Sequence, residues 1–222
     1  MGKPVGLSFR RTMKVLALDP AASTGYCIIH IEDDTASIVE YGFLEVENHE
    51  LNGDRCLDLM YKIECLCLAE SIDRVCIEDY FFSKRFANGC DVNAAFRTAI
   101  HIKLCELKIP YDILNISLWK KFISGRSTPT PLQKKHWGKE PAKKLMIQDS
   151  LWTKYKIRFP NHSLSLKTGK PIKFRSDVVD AVGQGIYFCK IILNVTNIRC
   201  DIVPPDDVEF KNKPKAMYEY KE

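Results

Sequence analysis

The stretch Val15-Leu-Ala-Leu-Asp19-Pro-Ala-Ala-Ser-Thr-Gly25-Tyr26 decides how the rest of the chain is read. It is a short apolar run that ends in an acid and then turns. Burying a carboxylate is costly unless something compensates it, so an acid directly after a buried strand marks a position to be explained. Pro20 to Thr24 is turn-prone. Gly25–Ile31 is a second apolar run and Ala36–Val46 a third, rich in β-formers. Three short strands with tight connections read as an antiparallel meander.

From Leu51 the period changes. Leu51, Leu57, Leu59, Ile63, Leu66 and Leu68 predict a helix up to about Ser71. Val75–Ile77 is a further strand that again ends in an acid, Glu78. Asn88 or Asp91 is suited to cap a helix running to Leu107. Pro110–Leu114 reads as a fifth strand and Ile116–Ile123 as a short helix. Ser124–Pro141, punctuated by Gly125, Pro129, Pro131, Gly138 and Pro141, reads as a loop, Ala142–Tyr155 as a helix, and Pro160–Pro171 as a second loop. Ser176 is a natural N-cap for a last helix reaching Leu193. The order predicts an α/β fold: a mixed five-stranded sheet, antiparallel meander plus parallel strands, flanked by helices. A basic arm (1–12), a domain (13–194) and a polar C-terminal extension (195–222) complete the division.

The chain has 222 residues, 45% hydrophobic and 27% charged, enough for one sizeable core. No run approaches the roughly 18 apolar residues of a membrane helix. The N-terminus carries Lys3, Arg10 and Arg11 without an acid and lacks the apolar centre of a secretory signal, though organelle targeting stays open. Of nine cysteines, Cys27, Cys76, Cys105 and Cys189 fall in apolar runs, which suits buried thiols in a reducing, intracellular compartment. Cys65 and Cys67 form a pair without a second pair or histidines at zinc spacing. The net charge is +5, but Ser117–Arg175 holds fifteen lysines and arginines against two acids. That stretch is +13 and the remainder −8, an asymmetry that predicts a polyanion partner.

Two further acids, Asp177 and Asp180, sit three apart at the start of the last helix, on one face of it. Each acid has an ordinary explanation alone: turn chemistry at Asp19-Pro20, or a complement to the helix dipole at Asp177. Together they are four carboxylates on three elements that the fold can converge. Such a group repels itself unless cations are bound. Magnesium, with manganese as substitute, prefers oxygen ligands, and two ions per site assist phosphodiester hydrolysis.

The segment around Asp19 resembles the opening strand of RuvC-type Holliday junction resolvases, which belong to the ribonuclease H-like superfamily. Val75-Cys-Ile-Glu-Asp-Tyr-Phe-Phe-Ser-Lys84 resembles their second motif, and Asp177-Val-Val-Asp-Ala-Val182 their final Asp-x-x-Asp-Ala helix start. The order agrees across residues 14 to 193. The resemblance implies a metal-dependent endodeoxyribonuclease that makes paired symmetric nicks in four-way DNA junctions. It implies Asp19, Glu78, Asp177 and Asp180 as catalytic metal ligands. It also implies a homodimer pairing through the helix Asp91–Leu107, with Ala94, Ala95, Ala99 and Ile102 at the contact. Departures from the bacterial pattern, among them Ala21 in place of glycine and the long Ser124–Pro141 segment, resemble divergent resolvases of phages and large DNA viruses.

Tyr80, Phe81 and Phe82, followed by Lys84 and Arg85, make a platform for stacking on bases and holding phosphate; the resemblance places an aromatic at Phe81. It also places basic residues at Lys120 and at Lys143 or Lys144, either catalytic or phosphate-binding. Lys121, Lys134 and Lys135 are further candidate DNA contacts in the basic stretch. Another nuclease of the same superfold, acting on flaps or RNA–DNA hybrids, and a non-catalytic junction-binding protein are the alternatives. An actin-like ATPase would need a second phosphate-binding half, which is not seen, so no nucleotide cofactor is expected.

Overall fold

The computed structural model describes residues 12–21, 23–47, 51–79, 87–137, 139–159, 162–164, 171–173 and 176–202. Strands β1 (Thr12–Asp19), β2 (Ser23–Glu32) and β3 (Thr35–Glu45) form the expected antiparallel meander. Helix α1 (Asn52–Glu70) then crosses over to β4 (Arg74–Glu78), which lies parallel to β1, and α2 (Ala87–Glu106) leads to β5 (Tyr111–Leu114), parallel to β4. Helices α3 (Ile116–Ser124), α4 (Pro131–Trp137) and α5 (Lys139–Tyr155) follow. A small hairpin of β6 (His162–Leu164) and β7 (Pro171–Lys173) precedes α6 (Ser176–Tyr187), whose end widens into a π-turn at Phe188–Ile192.

Strand β8 (Asn197–Cys200) closes the main sheet, in the order β5-β4-β1-β2-β3-β8. The sheet therefore has six strands rather than five. β8 is parallel to β3, with Thr35 opposite Asn197 and Ile38 opposite Cys200. It is a four-residue edge strand with every second residue exposed, so its sequence looks like the polar tail in which it lies.

Other boundaries also differ. Helix α2 begins at Ala87, so Asn88 and Asp91 lie inside it rather than at its cap. The segment read as a loop from Ser124 to Pro141 contains α4 and the first turn of α5. Pro131 starts α4 and Pro141 is the third residue of α5, positions where the missing N–H costs nothing. The second segment read as a loop holds the β6–β7 pair.

The sheet is buried on both faces. Val15 to Leu18 are all inaccessible, and their alternation sorts them into two cores. Leu16 and Leu18 join Val75 and Ile77 under α1 and α2, with Leu59, Ile63, Phe96 and Ile100. Val15 and Ala17 join Cys76 under the other layer, with Trp119, Ile147, Val178, Val182 and Ile186 of α3, α5 and α6. By the same parity Asp19 (two past Ala17) and Glu78 (two past Cys76) both face the α6 layer. The β1–β4 register sets Leu18 opposite Ile77, so the two acids lie side by side at the ends of adjacent parallel strands.

Cys27, Cys67, Cys76 and Cys189 are buried free thiols, and burial pushes Cys189 up to about 12. Cys105 is exposed, because the outward face of α2 carries it. No helix among the described residues is long and apolar enough to cross a membrane.

Helix α6 can reach the acids because glycine lines the strand beneath it. A Cβ on Gly25 would lie 2.2 Å from the backbone oxygen of Asp177. Gly25→Ala should therefore push the start of α6 off β2 and cost about 3 kcal/mol, read as a lower melting temperature. Gly53→Ala, where a Cβ meets nothing within 4 Å, is the matched control and should not destabilise.

Candidate active site

Three elements deliver the acids. Asp19 ends β1 and is only 8% exposed. Glu78 ends β4, where Leu114 pairs with it and the Leu114 carbonyl accepts the N–H of Asp79 at 2.8 Å. Asp177 and Asp180 sit in the first turns of α6, with the Ser176 hydroxyl donating to Asp177 Oδ1 at 3.3 Å.

The fourth contributor is α3. Asn115 follows β5 directly and caps this helix, its Oδ1 accepting from Ser117 N at 3.0 Å and Leu118 N at 3.2 Å. That cap fixes the helix start level with Glu78. Lys120 then points its ammonium between two of the acids, 3.5 Å from Asp180 Oδ2 and 3.8 Å from Glu78 Oε1. Trp119 Nε1 donates to Glu78 Oε1 at 3.1 Å.

The electrostatics follow from this crowding. Burial, then the charges of Glu78 and Asp180, push Asp19 well above the usual carboxylate range. Asp180 is raised to about 7, first by burial and then by Glu78 and Asp177; Lys120 opposes that rise without cancelling it. Burial works against the charged form of Lys120, but Asp180, Glu78 and Asp19 together outweigh it and leave its pKa raised. Among the described residues no three acid, histidine or cysteine side chains stand close enough to close a metal shell as they are. Lys120 instead supplies the positive charge between them. The donor set nonetheless fits a hard divalent cation: it is all oxygen, crowded, and short of positive charge at Asp19.

The structure thus gathers Asp19, Glu78, Asp180 and Lys120, with Asp177 beside them. Lys143 is exposed on α5, and Lys121, Lys134 and Lys135 are exposed on α3 and α4. Tyr80, Phe81, Phe82, Lys84 and Arg85 lie outside the described residues, as does the side chain of Lys144. On α2, Ala99 is buried, Ala94 and Ala95 are half-buried and Ile102 is exposed. Sequence reasoning passed over Trp119, whose signal was its place beside Lys120 on the apolar face of α3. It also passed over the ion pair of Arg97 with Asp79 at 2.8 Å, which ties α2 to the end of β4.

A mixed sheet carrying acids on the ends of two adjacent parallel strands, faced by a helix that brings two more, is the architecture of the ribonuclease H-like nucleases. Within that class, the family model described as Crossover junction endodeoxyribonuclease RuvC matches residues 15–138, and the chain belongs to the RuvC family. The chain is 32% identical over 123 residues to the crossover junction endodeoxyribonuclease RuvC of Sulfurovum sp., covering 54% of this chain and 76% of that one. Thermus thermophilus RuvC superposes with a TM-score of 0.55 at 12% identity, over 83% of this chain and 99% of that one. The T. thermophilus RuvC solved in complex with a Holliday junction substrate gives 0.54 at 13% identity, over 78% and 90%. RuvC-like nucleases depend on divalent metal. The matched span includes Asp19, Glu78 and Lys120; Asp177 and Asp180 lie beyond it and join them through the fold.

The raised acids make the metal-free protein sensitive to pH. A carboxylate whose folded pKa lies above its unfolded value stabilises the fold at low pH, and that stability is lost as pH rises toward the folded value. For Asp180 the window runs from about 4 to about 7. Metal-free wild type should lose melting temperature between pH 5 and pH 8. Asp180→Asn should flatten that decline and melt higher at pH 8; equal pH profiles would contradict the assignment.

Proposed function

We propose that the chain cuts four-way DNA junctions by hydrolysing phosphodiesters, with Asp19, Glu78 and Asp180 holding magnesium or manganese, two ions per site, and Asp177 supporting them. The observation that carries the reading is the convergence of acids from β1, β4 and α6 in a chain of the RuvC family. When bound, such ions supply an activated water and stabilise charge on the leaving oxygen. The chain's own residues supply the rest. Asp19 and Glu78 offer rigid strand-end carboxylates. Lys120, whose ammonium lies 3.5 Å from Asp180 and 3.8 Å from Glu78, would neutralise charge developing at the phosphate. Lys121, Lys134, Lys135, Lys143 and Lys144 hold the backbone of the DNA, and Tyr80, Phe81, Phe82, Lys84 and Arg85 contact its opened bases and phosphates.

Two opposed cuts need two equivalent sites, which a two-fold dimer supplies. The exposed Ile102 and half-buried Ala94 and Ala95 on α2 support that helix as the contact. The buried free thiols support a reducing intracellular compartment, and the activity belongs to DNA recombination and repair.

The test is cleavage of a labelled four-way junction beside linear duplex, flap and RNA–DNA hybrid, with and without magnesium. Paired symmetric nicks confined to the junction are expected. Asp19→Asn, Glu78→Gln and Asp180→Asn should each lower the rate at least ~1000-fold while junction binding persists. Wild-type rates in those variants would refute the site. Preference for flap or hybrid would refute the substrate.

A further inference from the structure

We infer that Trp119 is a positioning residue, whose indole N–H fixes the Glu78 carboxylate for cation binding. The inference rests on the reading of Glu78 as a metal ligand. Trp119 is fully buried, and its Nε1 donates to Glu78 Oε1 at 3.1 Å. An indole offers one donor and no acceptor, so a buried Trp both needs such a partner and holds it in one direction.

The surroundings show that the ring is held from several sides. The Asn115 cap sets the start of α3 one turn before it. The ring lies over Gly183 of α6, where a Cβ would come within 2.9 Å of Trp119 Cζ3. Lys120 Nζ sits 4.8 Å from the ring centroid, on the side of the acids. Gly183 is on α6, one turn beyond Asp180. The same contact that seats the indole therefore sets the spacing between the helix that carries Asp180 and the helix that reaches Glu78.

The two partners of Glu78 differ in kind. Lys120 is charged and approaches only to 3.8 Å, so its hold on Glu78 is electrostatic and would weaken with a cation bound beside it. Trp119 is neutral and stays. A neutral donor orients one carboxylate oxygen without cancelling the group's charge, and the other oxygen keeps its full capacity as a ligand. Holding a ligand's orientation through a hydrogen bond from behind is a recognised means of tuning metal affinity, by 10- to 100-fold when removed.

Trp119→Phe keeps the apolar ring and removes the donor. Manganese affinity of the full-length protein is read from the manganese concentration that half-saturates it in isothermal titration calorimetry, without DNA. Trp119→Phe should raise that concentration about tenfold and Glu78→Gln by more. In the double variant, Trp119→Phe should add nothing to Glu78→Gln, because the donor it removes acts through Glu78. A role confined to packing would lower the melting temperature of the metal-free protein and leave the manganese midpoint unchanged. That result, or additive effects in the double variant, would overturn the inference. If Glu78→Gln itself leaves the midpoint unchanged, the ligand assignment has failed and the inference falls with it. If Trp119→Phe does not fold, Trp119→His, which keeps an N–H on a smaller ring, replaces it. A midpoint between wild type and Glu78→Gln supports the inference, and one at the wild-type value or weaker than Glu78→Gln contradicts it.

Discussion

The structure turns on the mutual repulsion of carboxylates that the fold brings out of water together. Asp19, Glu78 and Asp180 come from two strands and a helix, and burial together with the neighbouring charges raises Asp19 and Asp180. In the protein alone, Lys120 carries the compensating charge. That crowding is the ground for proposing a cation at this site.

The fold explains how this assembly is held. Period-2 alternation along β1 and β4 places Asp19 and Glu78 on one face. Parallel pairing places them side by side, and Gly25 lets α6 approach close enough for Asp180 to join them. Asn115 converts the end of β5 into the start of α3, which brings Trp119 and Lys120 to the same point. Each device is local, and each acts at the carboxyl ends of the central parallel strands, where α/β sheets commonly hold their ligands.

Much of this was legible in the residues. Apolar runs ending in acids named Asp19 and Glu78, and the three-residue spacing at a helix start named Asp177 and Asp180. The meander and the crossovers were readable because their periods are strong. What escaped had weak local signals. β8 is four half-polar residues whose pairing partner lies 162 positions away at Thr35. Helix α4 hides in a stretch whose prolines look like loop punctuation until Pro131 is seen to occupy a first helical turn. Lys120 was named through a family resemblance, but its place between Glu78 and Asp180 depends on how α3 packs against α6. Trp119 went unnoted because a Trp on an apolar helical face ordinarily reads as core, and its donor role appears only in three dimensions.

We propose that these acids form a cation site in which the Lys120 ammonium takes the place of metal in the metal-free protein. Crystals of the protein soaked in manganese, with anomalous scattering recorded at the manganese edge, test it most directly. Anomalous density is expected within about 2 Å of carboxylate oxygens of Asp19, Glu78 and Asp180, with the Lys120 ammonium moved away from Glu78 and Asp180. Manganese bound elsewhere, or Lys120 unmoved between the two acids at saturating metal, would contradict it.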